Sequence, residues 1–345
     1  MTAVKDLYKK IGFPRLIITL FLVVLLVLSY TLKIEQGGLW TSILERFGMN
    51  AIMVLAMVPA IQSGTGINFN LALGVVMGLI GALVALELNL TGWICFFVAL
   101  AIAIPLAIIA GWLYGKMLNR VKGQEMTVGN YVGFSVVSFM CIIWLIAPFK
   151  NESLVWAMGG TGLRTTLTME DSMARILNDA LAFNIGSVRI PTGLLLFVAI
   201  CTGLMYFFLR TKSGNSLSVA GSNANFARSN GINVDRQRLI GTIISTVCAA
   251  IGIIVYSQSF GFLQLYTAPL YVALPAAAAI LIGGASMQKA KIIHVIIGTF
   301  LFQSLLVVAL PVVNIVSEGS MAEIVRIVVS NGIIVYALTR GGDES

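Results

Sequence analysis

Long apolar runs alternate with short polar segments along the chain, and this alternation predicts helices that cross a membrane. An apolar run of about 20 residues is long enough to span the hydrocarbon core as a helix. Ten runs are of suitable length: 16–32, 47–62, 70–88, 92–115, 126–148, 191–210, 239–258, 270–285, 292–312 and 322–339. We therefore expect an all-α polytopic membrane protein with about ten transmembrane helices, forming a single domain over residues 1–345.

Composition supports this expectation. The chain has 345 residues, of which 58% are hydrophobic and 10% charged, and its mean hydropathy is +0.96. Soluble domains are about a quarter charged, so lipid must be the solvent for much of this apolar surface. The net charge of +8 is explained by basic loops held on the cytoplasmic side rather than by a nucleic-acid partner.

The basic residues also predict an orientation. Most of the 22 Lys and Arg residues fall in segments that ten spans place on the same side as the N-terminus, and positive loops stay in the cytoplasm. Both termini should then be cytoplasmic. In this topology 149–190 is a long external loop and 211–238 is a cytoplasmic loop.

Arg210–Leu239 is the longest polar, basic segment between two apolar runs. Within it, Asn223–Asn230 has helix-compatible spacing, with Ser222 as a plausible N-cap and Gly231 as a stop. We interpret this stretch as a short surface helix that a cytoplasmic partner grips. The alternative is an ordinary solvated loop.

The external loop contains a second helical pattern. Thr168 and Asp171 resemble a capping box, and apolar residues follow at helical spacing: Met173, Ile176, Leu177, Ala180 and Leu181. We expect an amphipathic helix on the outer face, which either docks a partner or rests in the membrane interface.

Two stretches interrupt the apolar pattern at membrane depth: Gln62–Gly74, and Gly261–Gly284 with Pro269 and Pro275. Non-helical backbone survives at that depth only inside protein or beside a water-filled cavity. One break in each half indicates two pseudo-repeated halves with broken or re-entrant segments. Small residues four apart predict close helix crossings: Gly74/Gly78, Gly111/Gly115 and Gly129/Gly133.

The sequence offers no candidate for chemistry. No acid lies at the centre of a span, where ion-coupled carriers usually keep one, and Gly111–Lys116 lacks the spacing and the following Ser or Thr of a phosphate-binding loop. The four cysteines have no metal-ligand spacing: Cys95, Cys141, Cys201 and Cys248. We predict no catalytic residue, metal or cofactor, so energy for uphill transport must come from another subunit.

Four stretches, in the right order, resemble permease subunits of ribose/galactose/autoinducer-type sugar ABC importers. GSNANFARSNGINV (221–234) is similar to that family's "GGN..AA..SGINV", and MNAIM (49–53) to its "NAIMA". SGTGINFN (63–70) is similar to "SGIDLSVG", and AAAAILIGGAS (276–286) to "AAVVLGGTS". The resemblance runs from about residue 45 to residue 335.

This resemblance implies a protein of the bacterial cytoplasmic (inner) membrane that works with ATPase subunits, a second permease (identical or paralogous) and an external solute-binding protein. ATP and magnesium would be used by the ATPase. The family's coupling helix maps onto residues 223–231, implying contacts from Asn223, Ala224, Phe226, Ala227, Arg228 and Gly231. Asn68 replaces the family's usual acid and Asn70 its serine, so the solute is left open between a sugar, a nucleoside, a vitamin or another small polar molecule.

Three neutral polar residues in apolar surroundings are candidates for the translocation pathway: Asn68, Asn70 and Asn130. Polar groups are costly in a membrane without a use, although hydrogen bonding between helices is an equally ordinary use. Two other functions stay open at this point. An ion-coupled secondary carrier would move solute by this chain alone, and a membrane scaffold or receptor subunit would move none.

Overall fold

The computed structural model describes residues 13–149, 151, 154–155, 162–316, 331–332 and 335. Its helices are α1 (Phe13–Thr31), α2 (Gln36–Leu55), α3 (Met57–Gln62), α4 (Leu71–Glu87), α5 (Gly92–Leu118), α6 (Glu125–Ile146), α7 (Ile176–Asp179), α8 (Thr192–Arg210), α9 (Lys212–Ser222), α10 (Ala224–Ser229), α11 (Val234–Phe260), α12 (Ala268–Tyr271), α13 (Ala273–Ile282) and α14 (Ile292–Val316). The strands are β1 (Thr166–Thr168), β2 (Phe183–Ile185), β3 (Val188–Ile190) and β4 (Phe262–Gln264).

The all-α polytopic membrane architecture is confirmed. Among the described residues, six helical segments are long and apolar enough to cross a membrane: Gln36–Gln62, Gly92–Leu118, Glu125–Ile146, Thr192–Arg210, Val234–Phe260 and Ile292–Ile315. Three shorter apolar segments, Leu16–Thr31, Leu71–Glu87 and Ala268–Ile282, account for three more of the predicted runs. The run predicted at 322–339 lies outside the described residues, apart from positions 331, 332 and 335.

Helix α11 is the axis of the bundle, because α2, α4 and α5 all pack against it. A Cβ atom at Gly74 would clash with the Thr246 carbonyl of α11, and one at Gly78 would lie 2.5 Å from the Ala250 carbonyl. Gly111 of α5 also packs against α11, where a Cβ atom would lie 3.0 Å from the Ile243 Cα. The predicted role of these glycines in close helix crossings is therefore seen in the structure.

The first break has two parts. α2 and α3 form one apolar segment with an irregular turn at Ala56, and the chain then leaves the helix between Ser63 and Asn70. Gly64 has φ +78°, a left-handed conformation that glycine adopts without the penalty a side chain brings.

The second break consists of two short helices, α12 and α13, where a continuous span was predicted at 270–285; α13 then forms a hairpin with the long α14. α12 and α13 are interrupted at Val272, and α13 ends at Gly283 before the chain turns into α14. Gly283 and Gly298 face each other in this hairpin: a Cβ atom at Gly298 would clash with the Ala279 carbonyl. The two helices are thus in backbone contact.

The amphipathic helix predicted over residues 168–181 is wrong. Thr168 ends strand β1, which pairs antiparallel with β4, and α7 is a single turn. Met173 and Leu177 are buried in the protein core whereas Leu181 is exposed, so the apolar residues do not share one face. Residues 169–181 form a series of turns instead of a helix, and only some of the apolar residues at helical spacing are buried.

This segment, together with β4, forms what we call the strand-bearing end of the bundle (residues 162–190 and 262–264). It is fixed to the end of α11 by buried polar contacts: the Asn178 amide donates to Ser259 Oγ at 2.8 Å, and Leu177 N–H donates to Gln258 Oε1 at 3.2 Å. An ion pair of 2.6 Å joins Arg175 to Glu45 of α2. The strand-bearing end is therefore a fixed cap over α2 and α11.

We predict that Gly298→Ala destabilises the protein by about 3 kcal/mol, the upper end of the overpacking range, because α13 and α14 must separate to admit a methyl group beside a carbonyl. The readout is the thermal unfolding midpoint in detergent micelles. Gly203→Ala in α8 is the matched control, since a Cβ atom there meets nothing within 4 Å and alanine favours a helix. Equal midpoints for the two variants would contradict the prediction.

Candidate translocation groove and coupling segment

The polar loop at the end of the bundle opposite the strands is largely helical. α9 was not predicted, whereas α10 matches the short helix predicted for this loop. Its N-cap is Asn223 rather than Ser222: Asn223 Oδ1 accepts the Phe226 N–H at 2.9 Å. Gly231 follows the helix with φ +76° and so ends it as predicted. We call residues 212–233 the coupling segment.

Not every residue that was predicted to form the contact surface of α10 is exposed. Phe226 is 57% exposed, and Arg228, two residues further along the helix, is exposed as well. Ala227 is fully buried against Ala220 and Val234, which corrects its assignment to a contact surface. An exposed aromatic ring and an exposed cation on a short capped helix are suited to insertion into a partner's groove.

Gln62 ties the coupling segment to both broken segments. Its Oε1 accepts a hydrogen bond from Ser218 of α9 at 3.0 Å, and its amide donates to the Ala290 carbonyl at 2.6 Å. Gly221 lies against the backbone of Gln62 so closely that a Cβ atom there would clash with the Gln62 carbonyl. The sequence analysis missed this role, although Gln62 stands out as the polar residue that ends an apolar run.

A second link joins α11 to α6. Arg238, which is 7% exposed, donates to the Glu125 carboxylate in an ion pair of low exposure. A more exposed pair, Lys122 with Asp235 at 2.6 Å, lies one turn away. Arg238 lies near the start of α11, which directly follows the coupling segment, and Glu125 begins α6, so this ion pair joins α11 to α6 electrostatically.

Two of the predicted pathway residues are buried. Asn68, 8% exposed, donates to Ser245 Oγ of α11 at 2.9 Å, and its Oδ1 accepts the Asn70 N–H at 3.1 Å. The Asn70 side chain is 1% exposed, and neither of its amide atoms has a hydrogen bond of normal geometry among the described residues. The Tyr114 hydroxyl of α5 lies next to the Asn70 side chain, so a polar contact between helices accounts for this buried amide as well as the predicted pathway role does.

The third predicted residue, Asn130, is exposed and lies in a groove where the two broken segments meet. We define this translocation groove by Phe69, Asn130, Phe134, Leu270 and Leu274, which line a concavity of about 270 Å³. A contiguous concavity of about 320 Å³ extends it along α6 past Thr127 and Tyr131. Among the described residues, the side chains that line these concavities include no charged group.

The sequence analysis missed most of the groove. Thr127 and Phe134 lie three and four residues from Asn130, and Tyr131 lies four residues from Thr127 and three from Phe134. These are the spacings that make residues neighbours on a helix surface. The spacing is visible in the sequence, but a stripe of large residues on an apolar helix is equally typical of residues packed against another helix. Only the tertiary structure shows that this stripe is exposed in the groove.

Among the described residues, no three His, Cys, Asp or Glu side chains come together in a way that could hold a metal ion. Lys116, at the end of the sequence that resembled a phosphate-binding loop, places its Nζ 3.6 Å from the centre of the Trp112 ring. A lysine stacked on tryptophan at the end of a span is a cation–π contact of the kind found at membrane interfaces.

A bundle of apolar helices, two broken segments that meet in an open groove, and a capped helix presented at one end define a multi-pass membrane protein of the solute-translocating class. Residues 39–337 match the family model described as "Branched-chain amino acid transport system / permease component". The chain belongs to this family. Its members are translocation subunits rather than catalytic ones, and they work with ATPase and substrate-binding partners.

The chain is similar to the galactofuranose transporter permease protein YtfT of Escherichia coli K12, with 25% identity over 308 residues, 85% of this chain and 81% of the relative. It is also 25% identical to the xylose transport system permease protein XylH of the same organism over 304 residues, 77% and 76% of the two chains. A third relative is the autoinducer 2 import system permease protein LsrC of Enterobacter sp. strain 638, with 23% identity over 257 residues, 74% of this chain and 66% of the relative. No solved structure matches the chain.

We predict that Glu125→Gln lowers the free energy of unfolding by about 3 kcal/mol, because it leaves the Arg238 cation buried without a counter-charge. Lys122→Gln breaks the exposed pair nearby and should cost less than about 1 kcal/mol. Denaturant titration in mixed micelles compares the two. The double variant Glu125→Gln/Arg238→Gln should recover part of the loss, and costs that simply add would contradict the coupling.

Proposed function

We propose that this chain is the membrane-spanning permease of an ATP-binding-cassette importer that moves a sugar through the translocation groove. The observation that carries the proposal is the continuous connection from an exposed helix to that groove. α10 is joined to the first break and to the turn after α13 through α9 and Gln62, and to α6 through Arg238 and Glu125. Movement imposed at α10 therefore reaches the elements that line the groove.

The solute class follows from two observations. The relatives are named for galactofuranose, xylose and autoinducer 2. The groove presents a neutral amide, Asn130, and aromatic and aliphatic side chains without any charged residue. Such a lining is suited to an uncharged polar solute better than to a zwitterionic amino acid, whose ammonium and carboxylate groups need charged or strongly polar partners. A nucleoside is the second candidate on the same grounds.

We further propose that the strand-bearing end faces the exterior of a bacterial inner membrane and receives a solute-binding protein. The coupling segment then faces the cytoplasm, where Phe226 and Arg228 enter an ATPase groove and where both termini lie. A second permease, identical or paralogous, faces the groove and completes the pathway. The excess of Lys and Arg on the coupling-segment side supports this orientation.

The direct test is solute uptake into proteoliposomes that contain this chain with its ATPase and binding protein. Uptake of a labelled sugar that needs both ATP and the ATPase subunit supports the proposal. Uptake driven by an ion gradient through this chain alone would replace it with a secondary carrier.

We predict that Phe226→Ala lowers ATP-dependent uptake at least tenfold while the chain stays inserted, because truncation of an aromatic anchor in an interface typically costs about 2 kcal/mol or more. Arg228→Glu should act in the same direction. The readouts are uptake and co-purification of the ATPase. Phe207→Ala is the matched control, since Phe207 is a 70% exposed ring on α8, away from α10. Wild-type uptake and association in Phe226→Ala would refute the anchor.

Cysteine accessibility tests the pathway residues in a chain from which Cys95, Cys141, Cys201 and Cys248 have been removed. We predict that Asn130→Cys reacts with a water-soluble maleimide at rest, because Asn130 is exposed in the groove. Asn70→Cys should react only while the transporter turns over ATP, because it is buried at rest.

The control for this labelling is Phe139→Cys. Phe139 is 64% exposed on α6 but does not line the groove, and a thiol facing lipid stays unreactive. Protection of Asn130→Cys and Asn70→Cys in every nucleotide state would assign both residues to packing.

A further inference from the structure

A second cavity lies inside this chain, on the other side of the α12–α13 segment from the groove. Its volume is about 190 Å³. Leu270 and Leu274 line the groove, whereas Tyr271 and Pro275 line the cavity. One short helical segment therefore separates the two spaces.

The feature that marks this cavity is Gln303. It lies near the middle of α14, it is only 5% exposed, and its amide makes no hydrogen bond to any other described residue. The amide is not sealed in packing, since it is not among the buried polar atoms that lack a partner, and Gln303 lines the cavity. A carboxamide at membrane depth with nothing to bind is costly, unless an occupant of the cavity supplies its partner.

Two other residues that line the cavity, Asn50 and Gln264, also carry carboxamide groups. Asn50 lines the same wall, with its amide nitrogen donating to the Arg46 carbonyl at 2.9 Å and its Oδ1 left free, and Gln264 lies at the strand-bearing end. The floor is apolar, formed by Met53 and Phe302. Within the part of the chain that the structure describes, no carboxylate lines the cavity.

We propose that this cavity is a binding site for one neutral polyhydroxylated solute of monosaccharide size. A carboxamide donates and accepts hydrogen bonds at once, which matches hydroxyl groups that also do both. The cavity holds about six waters at ~30 Å³ each, well below the volume of a drug-sized site. The apolar floor would contact the C–H face of a sugar ring.

Gln303 and Asn50 would hold the ring hydroxyls, while Arg46, whose side chain has no acidic partner among the described residues, lies at the rim. The solute class is taken from the proposed function, and the site adds a place where the solute can rest within a single permease chain. An acyl chain, an inorganic anion at Arg46 and water alone are the competing occupants.

The test is ligand-observed saturation-transfer NMR on the full chain in lipid nanodiscs, without ATPase or binding protein. The probes are D-xylose, D-galactose and myo-inositol, with L-leucine and phosphate as the contrasting solutes. We expect saturable binding of at least one polyol and weakening of at least tenfold in Gln303→Leu. Ser304→Ala should bind like wild type, since Ser304 is equally buried on the same helix but does not line the cavity.

A second measurement guards against a folding defect in Gln303→Leu. In the chain without native cysteines, Gln303→Cys should be labelled by a water-soluble maleimide, and the bound polyol should slow that labelling. Absence of polyol binding to wild type, binding that survives Gln303→Leu, or preferential binding of leucine or phosphate would overturn the site. Loss of binding in Asn130→Leu alone would move the site to the groove and overturn it as well.

The outcome is separable from that of the uptake experiment. ATP-dependent sugar uptake without Gln303-dependent binding leaves the importer standing and refutes the cavity. Gln303-dependent binding by a chain that never supports ATP-dependent uptake supports the cavity site and refutes the importer.

Discussion

Close packing on α11 is the interaction on which the other features depend. Lipid provides no hydrophobic driving force for two apolar helices to associate, so their association depends on how closely they pack. Gly74 and Gly78 of α4 bring that helix into backbone contact with α11, and Gly111 and Gly115 do the same for α5. On its other side α11 presents Gly241 to Ser63 of the first break. The non-helical stretch 63–70 therefore lies inside protein, which is the condition under which it can exist at membrane depth.

This position gives α11 a mechanical role in the importer. One end follows the coupling segment and is tied to α6 by the Arg238–Glu125 pair, while the other end is hydrogen-bonded to the strand-bearing end through Gln258 and Ser259. A packed helix transmits displacement because protein interiors are close-packed. Because one end of α11 is held by the cap, the proposed coupling through α10 would act on α11 as a rotation or a tilt. Asn68, hydrogen-bonded to Ser245 of α11, would follow that movement.

Much of the fold could be predicted from the sequence because lipid imposes a simple rule on span length. The apolar runs and the glycine pairs followed from it. α10 was predicted from local signals instead, of which Gly231 is the stop residue and Asn223, not Ser222, is the N-cap. The 168–181 segment was mispredicted because helical spacing there competes with pairing to β4, almost 100 residues away in the chain, which no local pattern reports. The Ala227 assignment failed for the same reason: a small residue on a surface helix is equally compatible with a partner's groove and with Val234 underneath.

The site was less predictable than the fold, since its members are distant in the chain. Gln62, Arg238 and Glu125 carry no motif, and Gln303 is an isolated polar residue in an apolar run. The role of each residue depends on its neighbours in the folded chain, which the sequence alone does not identify.

The α12–α13 segment shows why that neighbourhood matters for transport. Ala268–Ile282 has 15 residues, about 22 Å of helix at 1.5 Å per residue, which is short of the ~30 Å hydrocarbon core. It therefore ends within the protein, where Gly283 rests on α14 and the following turn is held by Gln62 through the Ala290 carbonyl. Its two faces line the groove and the Gln303 cavity. Because the coupling segment holds the same Gln62 side chain through Ser218, the partition between the two spaces is tied directly to that segment. The two Gln62 hydrogen bonds thus join α9 to the turn that ends this partition.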